Sequence, residues 1–180
     1  MNASNLHRNW GLQFIKLSAS AAGTLISAVF CAFNPTLAQG AGPGAIQSLA
    51  SGKCLDLEGG AKVDGPVVIQ YDCHSGANQQ WSLESAGGAG YRIVSRLSGK
   101  CVGIDRSAGS GITAPVLQSA CGDSATEQLW SLESKRGGYV IRSIISGRCL
   151  DVPGGSSVNG ARLVAWKCVG GENQVWRVTP

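Results

Sequence analysis

Asp56, Tyr71 and Asn78 stand at fixed distances around a pair of cysteines, and Asp151, Trp166 and Asn173 repeat the set. Each acid lies two residues after the first cysteine of its pair, Cys54 or Cys149. Each aromatic lies two residues before the second, Cys73 or Cys168. Each asparagine lies three residues before a tryptophan and is followed by a glutamine, Gln79 or Gln174. An ionised Asp accepts from two neighbouring hydroxyls, and charge-assisted hydrogen bonds are the stronger kind. Asn donates and accepts, so it reads a hydroxyl that the acid has already oriented. An aromatic ring covers an apolar C–H face and keeps water off one side. A pyranose presents that combination of hydroxyl edge and C–H face. Few polar groups and one apolar wall are also what small-ligand sites use. The plainer readings are that Asp56 and Asp151 cap turns, and that Tyr71 and Trp166 only cover a sheet.

A third cysteine pair, Cys101 and Cys121, keeps the spacing and loses the chemistry. Its corresponding positions hold Gly103, Ser119 and Glu127. Three residues that vanish together from one unit are candidates for a shared task. Gln128 survives in that unit, so Gln79 and Gln174 are expected chiefly to hold backbone, with ligand contact secondary.

The elements that position these residues come in threes. "SGKCLDL" at 51–57 returns as "SGKCVGI" at 98–104 and "SGRCLDV" at 146–152. Gln-x-Trp ends each unit at Trp81, Trp130 and Trp176, and "WSLES" follows the first two. The first cysteines recur after 47 and 48 residues and the tryptophans after 49 and 46, which is an internal threefold repeat. Gly52, Gly99 and Gly147 fall at one turn in every unit, and the three tryptophans form an expected core layer. Short apolar runs broken by Gly and Ser, with no long stripe of period 3.6, indicate β structure. Three such units fit an all-β fold, a β-trefoil of three four-stranded repeats over about 44–89, 90–136 and 137–180.

Six of the seven cysteines lie in these units. Six cysteines permit 15 pairings. Equivalent closure of equivalent units selects Cys54–Cys73, Cys101–Cys121 and Cys149–Cys168. The seventh, Cys31, belongs to a segment that reads as an address. His7, Arg8 and Lys16 precede an uncharged run over 17–33, and Thr36-Leu37-Ala38 offers a small-x-small cleavage signal. Residues 1–38 are therefore expected to be a removed signal peptide, leaving a single domain over 39–180 in a secreted, oxidising location. Without Arg8 and Lys16 the 15 basic residues fall to 13 against 11 acidic ones, with no basic run. That excludes the charge footprint of a nucleic-acid binder, and no membrane contact is expected after cleavage. No nucleophile is paired with a histidine base, no phosphate cradle is present and no C-x-x-C occurs, so neither enzyme nor cofactor nor metal is expected.

The SGKCLD, Gln-x-Trp and paired-cysteine pattern resembles the ricin-B-type lectin family over about 44–180. The resemblance implies galactose or xylose pockets formed by Asp56, Tyr71, Asn78 and Gln79 in the first unit. In the third unit it implies Asp151, Trp166, Asn173 and Gln174. His74 stands where some xylan-binding relatives use a histidine, and the third unit has Val169 there. Ile69 and Val164 stand where many relatives carry a sugar-contacting Gln. The expectation is a secreted, non-catalytic carbohydrate-binding domain for galactose- or xylose-containing glycans. The alternatives are a protein-interaction trefoil, such as a protease inhibitor or toxin-delivery subunit, and a targeting subunit for a separate polysaccharide hydrolase.

Overall fold

Short apolar runs closed by glycine turns become strands in all three units. The computed structural model describes residues 43–108 and 111–179. The expected signal segment, and Cys31 with it, lie outside these residues. The first unit supplies β1 (Ala45–Ser48), β2 (Cys54–Leu57), β3 (Val68–Tyr71) and β4 (Trp81–Ser85). The second supplies β5 (Tyr91–Ser95), β6 (Cys101–Ile104), β7 (Ala114–Ser119) and β8 (Trp130–Lys135). The third supplies β9 (Gly138–Ser143), β10 (Cys149–Asp151), β11 (Ala161–Arg162), β12 (Val164–Trp166) and β13 (Val175–Thr179). Short 3-10 turns join them, and the described residues contain no α-helix.

Four strands per unit predict twelve, and there are thirteen because one strand breaks at Leu163. That residue is buried, donates its N–H to the Val68 carbonyl at 2.9 Å and accepts from the Val116 N–H at 3.3 Å. It bonds to both neighbouring units at once. The chain therefore leaves β3 at β11 and joins β7 at β12.

The first and last strands of the units build a barrel. β4 pairs with β5, β8 with β9 and β13 with β1, all antiparallel, and these pairs link one unit to the next. Each unit closes on itself where Gly44, Tyr91 and Tyr139 face Trp81, Trp130 and Trp176. The middle strands form cap hairpins, β2–β3, β6–β7 and β10–β12. The caps meet one another at Val67–Leu117, Pro115–Val164 and Arg162–Ile69. A barrel, three hairpins and threefold register make this a β-trefoil.

Its core is stacked in equivalent triplets. Ile46, Ile93 and Ile141 form one, Leu55, Val102 and Leu150 another, and Trp81, Trp130 and Trp176 a third. A buried indole needs a partner for its N–H. Each tryptophan Nε1 donates to the carbonyl of the residue after its unit's first cysteine: Leu55 (3.0 Å), Val102 (2.9 Å) and Leu150 (3.0 Å). The repeated turn is also uniform. Gly52, Gly99 and Gly147 take φ of 70°, 68° and 66°, which L side chains resist, and their N–H groups donate back to Ser48, Ser95 and Ser143.

The three disulfides close within units as the repeat requires, with Cα–Cα distances of 5.0, 5.0 and 5.1 Å. Each ties the start of a cap hairpin to its end, so the acid-bearing and aromatic-bearing strands cannot separate. Chain-entropy arguments give about 3 kcal/mol for a loop of this size. Peptide mapping of the non-reduced protein is expected to release these three pairs and no others. A Cys54–Cys121 peptide would contradict the register.

Candidate carbohydrate-binding sites

Register places the first set of residues on one face of a cap hairpin. Asp56 in β2 sits opposite Ile69 in β3, and Cys54 sits opposite Tyr71. Alternation then puts Asp56, Ile69 and Tyr71 on the same side. The 3-10 turn Ala77–Gln79 brings two amides underneath. Asn78 Nδ2 lies 3.0 and 2.9 Å from the two oxygens of Asp56, and Gln79 Nε2 donates to Oδ2 at 2.7 Å. Asp56 is only 3% exposed, so these donors hold a carboxylate that water barely reaches. His74 Nε2 is 3.6 Å from Asp56 Oδ2, while its Nδ1 accepts from the Gly76 N–H at 3.0 Å. That bond places the proton of a neutral His74 on Nε2, facing the carboxylate. Asp56, Ile69, His74 and Asn78 line a cavity of about 250 Å³, with Gly59, Gly60 and the half-exposed Tyr71 completing its wall.

Gln79 does a different job from its neighbour. It is wholly buried, and both its polar atoms are spent inside the protein. Nε2 also donates to the Asp72 carbonyl (2.9 Å), and Oε1 accepts from the His74 N–H (2.8 Å). It clamps Asp56 to the loop that carries His74.

The third unit repeats the clamp. Gln174 Nε2 donates to Asp151 Oδ2 (2.6 Å) and to the Lys167 carbonyl (2.8 Å), and Oε1 accepts from Val169 N–H (2.8 Å). Asn173 Nδ2 donates to the same Oδ2 at 3.0 Å. Asp151 Oδ1 is left buried with no partner, and Trp166 stands half-buried on β12. Burial pushes the Asp151 carboxyl above its ordinary range, against the opposing pull of Gln174 and Asn173. A protonated Asp151 cannot act as an anionic acceptor. Ligand binding at the third pocket is therefore expected to fade as pH falls, starting above the normal titration range of Asp. Titrating the Asp56→Asn variant with ligand across pH 4–7 checks this, since that variant leaves the third pocket as the reporter. Linkage gives the sign for stability as well. A folded-state pKa above the unfolded one means that folding takes up protons, so this group's unfavourable contribution is relieved as pH drops through the raised value.

The middle unit has been dismantled from within. Gln128 is buried like its counterparts, but its Nε2 donates to Ser119 Oγ and the Ala120 carbonyl, both at 2.8 Å. The serine hydroxyl takes the place of the missing carboxylate as acceptor. A Cβ on Gly103 would lie 3.0 Å from Gln128 Cγ, so the space for an acid side chain is largely filled. Glu127 turns to Arg106 at 3.6 Å, and Asp105 caps the next turn through Ser107 rather than replacing the lost acid.

Two further features escape inspection of the motifs. Gly59 and Gly60 (φ 63° and 61°) have exact counterparts in Gly154 and Gly155 (63° and 64°), while the middle unit has Arg106, Ser107 and Ala108 in this turn. Left-handed glycines let bare backbone edge the pocket, and a comparison of the three units already carried that signal. Gln70 and Gln118 lie outside the repeated motifs and tie one unit to another. Gln70 faces away from the pocket; its Oε1 accepts from Ser51 Oγ, and its Nε2 donates to the Ser156 and Val158 carbonyls of the third unit. Gln118 does the same toward Ala61 and Val63.

Comparison with known proteins agrees with the fold. The model of the ricin-type beta-trefoil lectin domain matches residues 42–176, and the chain belongs to that family. ThreeFoil, a designed threefold-symmetric protein, is similar at 35% identity and TM-score 0.73, over 78% of this chain and 99% of its own. An exo-beta-1,3-galactanase from Clostridium thermocellum is 25% identical with TM-score 0.72, over 78% of this chain and 30% of its own. The C-half of the earthworm R-type lectin, solved in complex with GalNAc, is 25% identical with TM-score 0.61, over 77% of this chain and 98% of its own.

Proposed function

We propose that the protein is a secreted, non-catalytic lectin domain that holds galactose- or xylose-containing glycans in two pockets, one in the first unit and one in the third. The observation that carries this is the intact Asp–Asn–Gln clamp beside an aromatic in two units, set against its dismantling in the middle one. In each pocket the carboxylate accepts from a pair of sugar hydroxyls and the asparagine fixes its orientation. Tyr71 or Trp166 covers the C–H face. Gln79 and Gln174 act through the acids they hold. The GalNAc complex of the earthworm lectin and the galactan-cleaving relative favour the galactose branch of this reading. His74 distinguishes the first pocket from the third, because its Nε2–H adds a donor there.

A glycan array probed with the domain over 39–180 tests the reading directly. Signal on galactose- or xylose-terminated glycans is the expected result. An array blank across these sugars would turn attention to the protein-interaction alternative.

A further inference from the structure

A strand of the third unit runs along the edge of the first pocket and brings a charge with it. Arg162 in β11 pairs directly with Ile69, and Ile69 pairs directly with Asp56, so the three form one row across neighbouring strands. Directly opposed residues project on the same face. Neighbouring strands lie about 4.8 Å apart, which puts Arg162 about 10 Å from Asp56 along that row. Ile69 lines the pocket between them. Gly160, two residues before Arg162, carries no side chain, and a Cβ built there would meet nothing within 4 Å.

The arginine is free and its strand is fixed. Arg162 is exposed and makes no ion pair among the described residues. Asp72, the acid at the end of β3, is already taken by Lys53 and by Asn159 Nδ2 at 2.7 Å. Gln70 anchors the segment before β11 through the Ser156 and Val158 carbonyls, and the Gly160 N–H returns a bond to Gln70 O at 2.9 Å. The equivalent flank of the middle unit carries Val67 opposite Leu117, and that of the third pocket carries Pro115 opposite Val164. Only the first pocket has a cation at this position.

From this juxtaposition we infer that Arg162 forms an anion-binding subsite of the first pocket. It receives a carboxylate or sulfate on the sugar next to the one seated at Asp56, so the first pocket selects acidic glycans and the third does not. The guanidinium fork matches either anion with two parallel donors. The inference rests on the sugar reading above, and the test separates the two.

Affinity electrophoresis with the Asp151→Asn variant isolates the first pocket. The probes are a uronate-bearing xylan with its carboxyl-reduced form, and a sulfated galactan with its desulfated form. An exposed pair of this kind gives an acidic-over-neutral preference of about three- to fivefold, weakening with added salt. Adding Arg162→Gln is expected to bring the ratio to about one, and Arg162→Lys to retain part of it. A preference on either arm that disappears with Arg162→Gln supports the subsite and names its anion. A ratio of one in the Arg162 protein, or a preference that Arg162→Gln leaves intact, overturns the subsite while the sugar reading stands. Failure of both acidic and neutral probes to retard the protein overturns the sugar reading, and the subsite with it.

Discussion

A domain carrying both Asp56→Asn and Asp151→Asn is expected to pass unretarded through an immobilised galactan or xylan, while each single variant is still delayed. The reason lies in what the substitution removes. Asparagine keeps the shape of each clamp, but it replaces an anionic oxygen by an amide and turns one acceptor into a donor. Hydrogen bonds to charged groups contribute about 1.5–3 kcal/mol, so each pocket loses on the order of tenfold or more in affinity. A single shallow site is weak, because the sugar's hydroxyls were well hydrated before binding. Retention on a polymer therefore depends on two sites held on one rigid body, where the second binding event is intramolecular. Losing one pocket removes that gain and leaves weak retention; losing both leaves nothing. Folding is expected to survive, since the donors Asn78, Gln79, Asn173 and Gln174 still meet an amide oxygen. Circular dichroism and an unchanged melting profile establish that control. A folded double variant retained like the parent would remove Asp56 and Asp151 from the binding site.

Much of this arrangement was legible in the sequence because the chain carries its own comparison. Three units with one scaffold and two copies of a polar set separate packing from chemistry without any relative. Trp81, Trp130 and Trp176 recur in every unit and meet in one core layer. Asp56 and Asp151 recur in two, and each accepts from the glutamine 23 residues later. The turn glycines and the disulfide pairs follow from the same logic, since equivalent local sequence closes in equivalent ways.

What the sequence hides is set at the boundaries between units. Gln70 looks like an ordinary strand residue, yet its amide spans 86 and 88 residues to the third unit. Arg162 reads as one charge in a glycine-rich loop until β11 pairs with β3 and aligns it with Ile69 and Asp56. Such register depends on long-range pairing that no local periodicity encodes. The break at Leu163 has the same origin, because one residue bonds to two neighbouring caps. The altered polar set of the middle unit is a further case. Gly103, Ser119 and Glu127 announce the loss, but only the side-chain geometry reveals that Gln128 has moved its donor to Ser119.

The middle unit nonetheless carries as much of the fold as the other two, and truncating its tryptophan brings this out. Trp130 is 0% exposed, packs in the common core, and donates its indole N–H to the Val102 carbonyl at 2.9 Å. On the neighbouring strand β5 it pairs with Tyr91, as Trp176 pairs with Tyr139 in the third unit. Trp130→Ala empties the largest side-chain volume from that layer and strands a buried carbonyl. Large aromatic truncations of this kind cost about 3–5 kcal/mol. Domains of ordinary stability have about 5–15 kcal/mol in total. Urea denaturation should therefore show a midpoint far below that of the parent, or no folded baseline at all. Trp81→Ala and Trp176→Ala are expected to match it, because the three indoles are equivalent in burial and bonding. A loss below about 1 kcal/mol at Trp130 alone would mean that the middle unit stands outside the shared core. The expected equality instead gives the repeat its physical logic. Closure of a threefold barrel needs three complete scaffolds, so the unit that lacks the acid, aromatic and asparagine keeps its tryptophan, its disulfide and its turn, and only the residues above the hairpin are free to change.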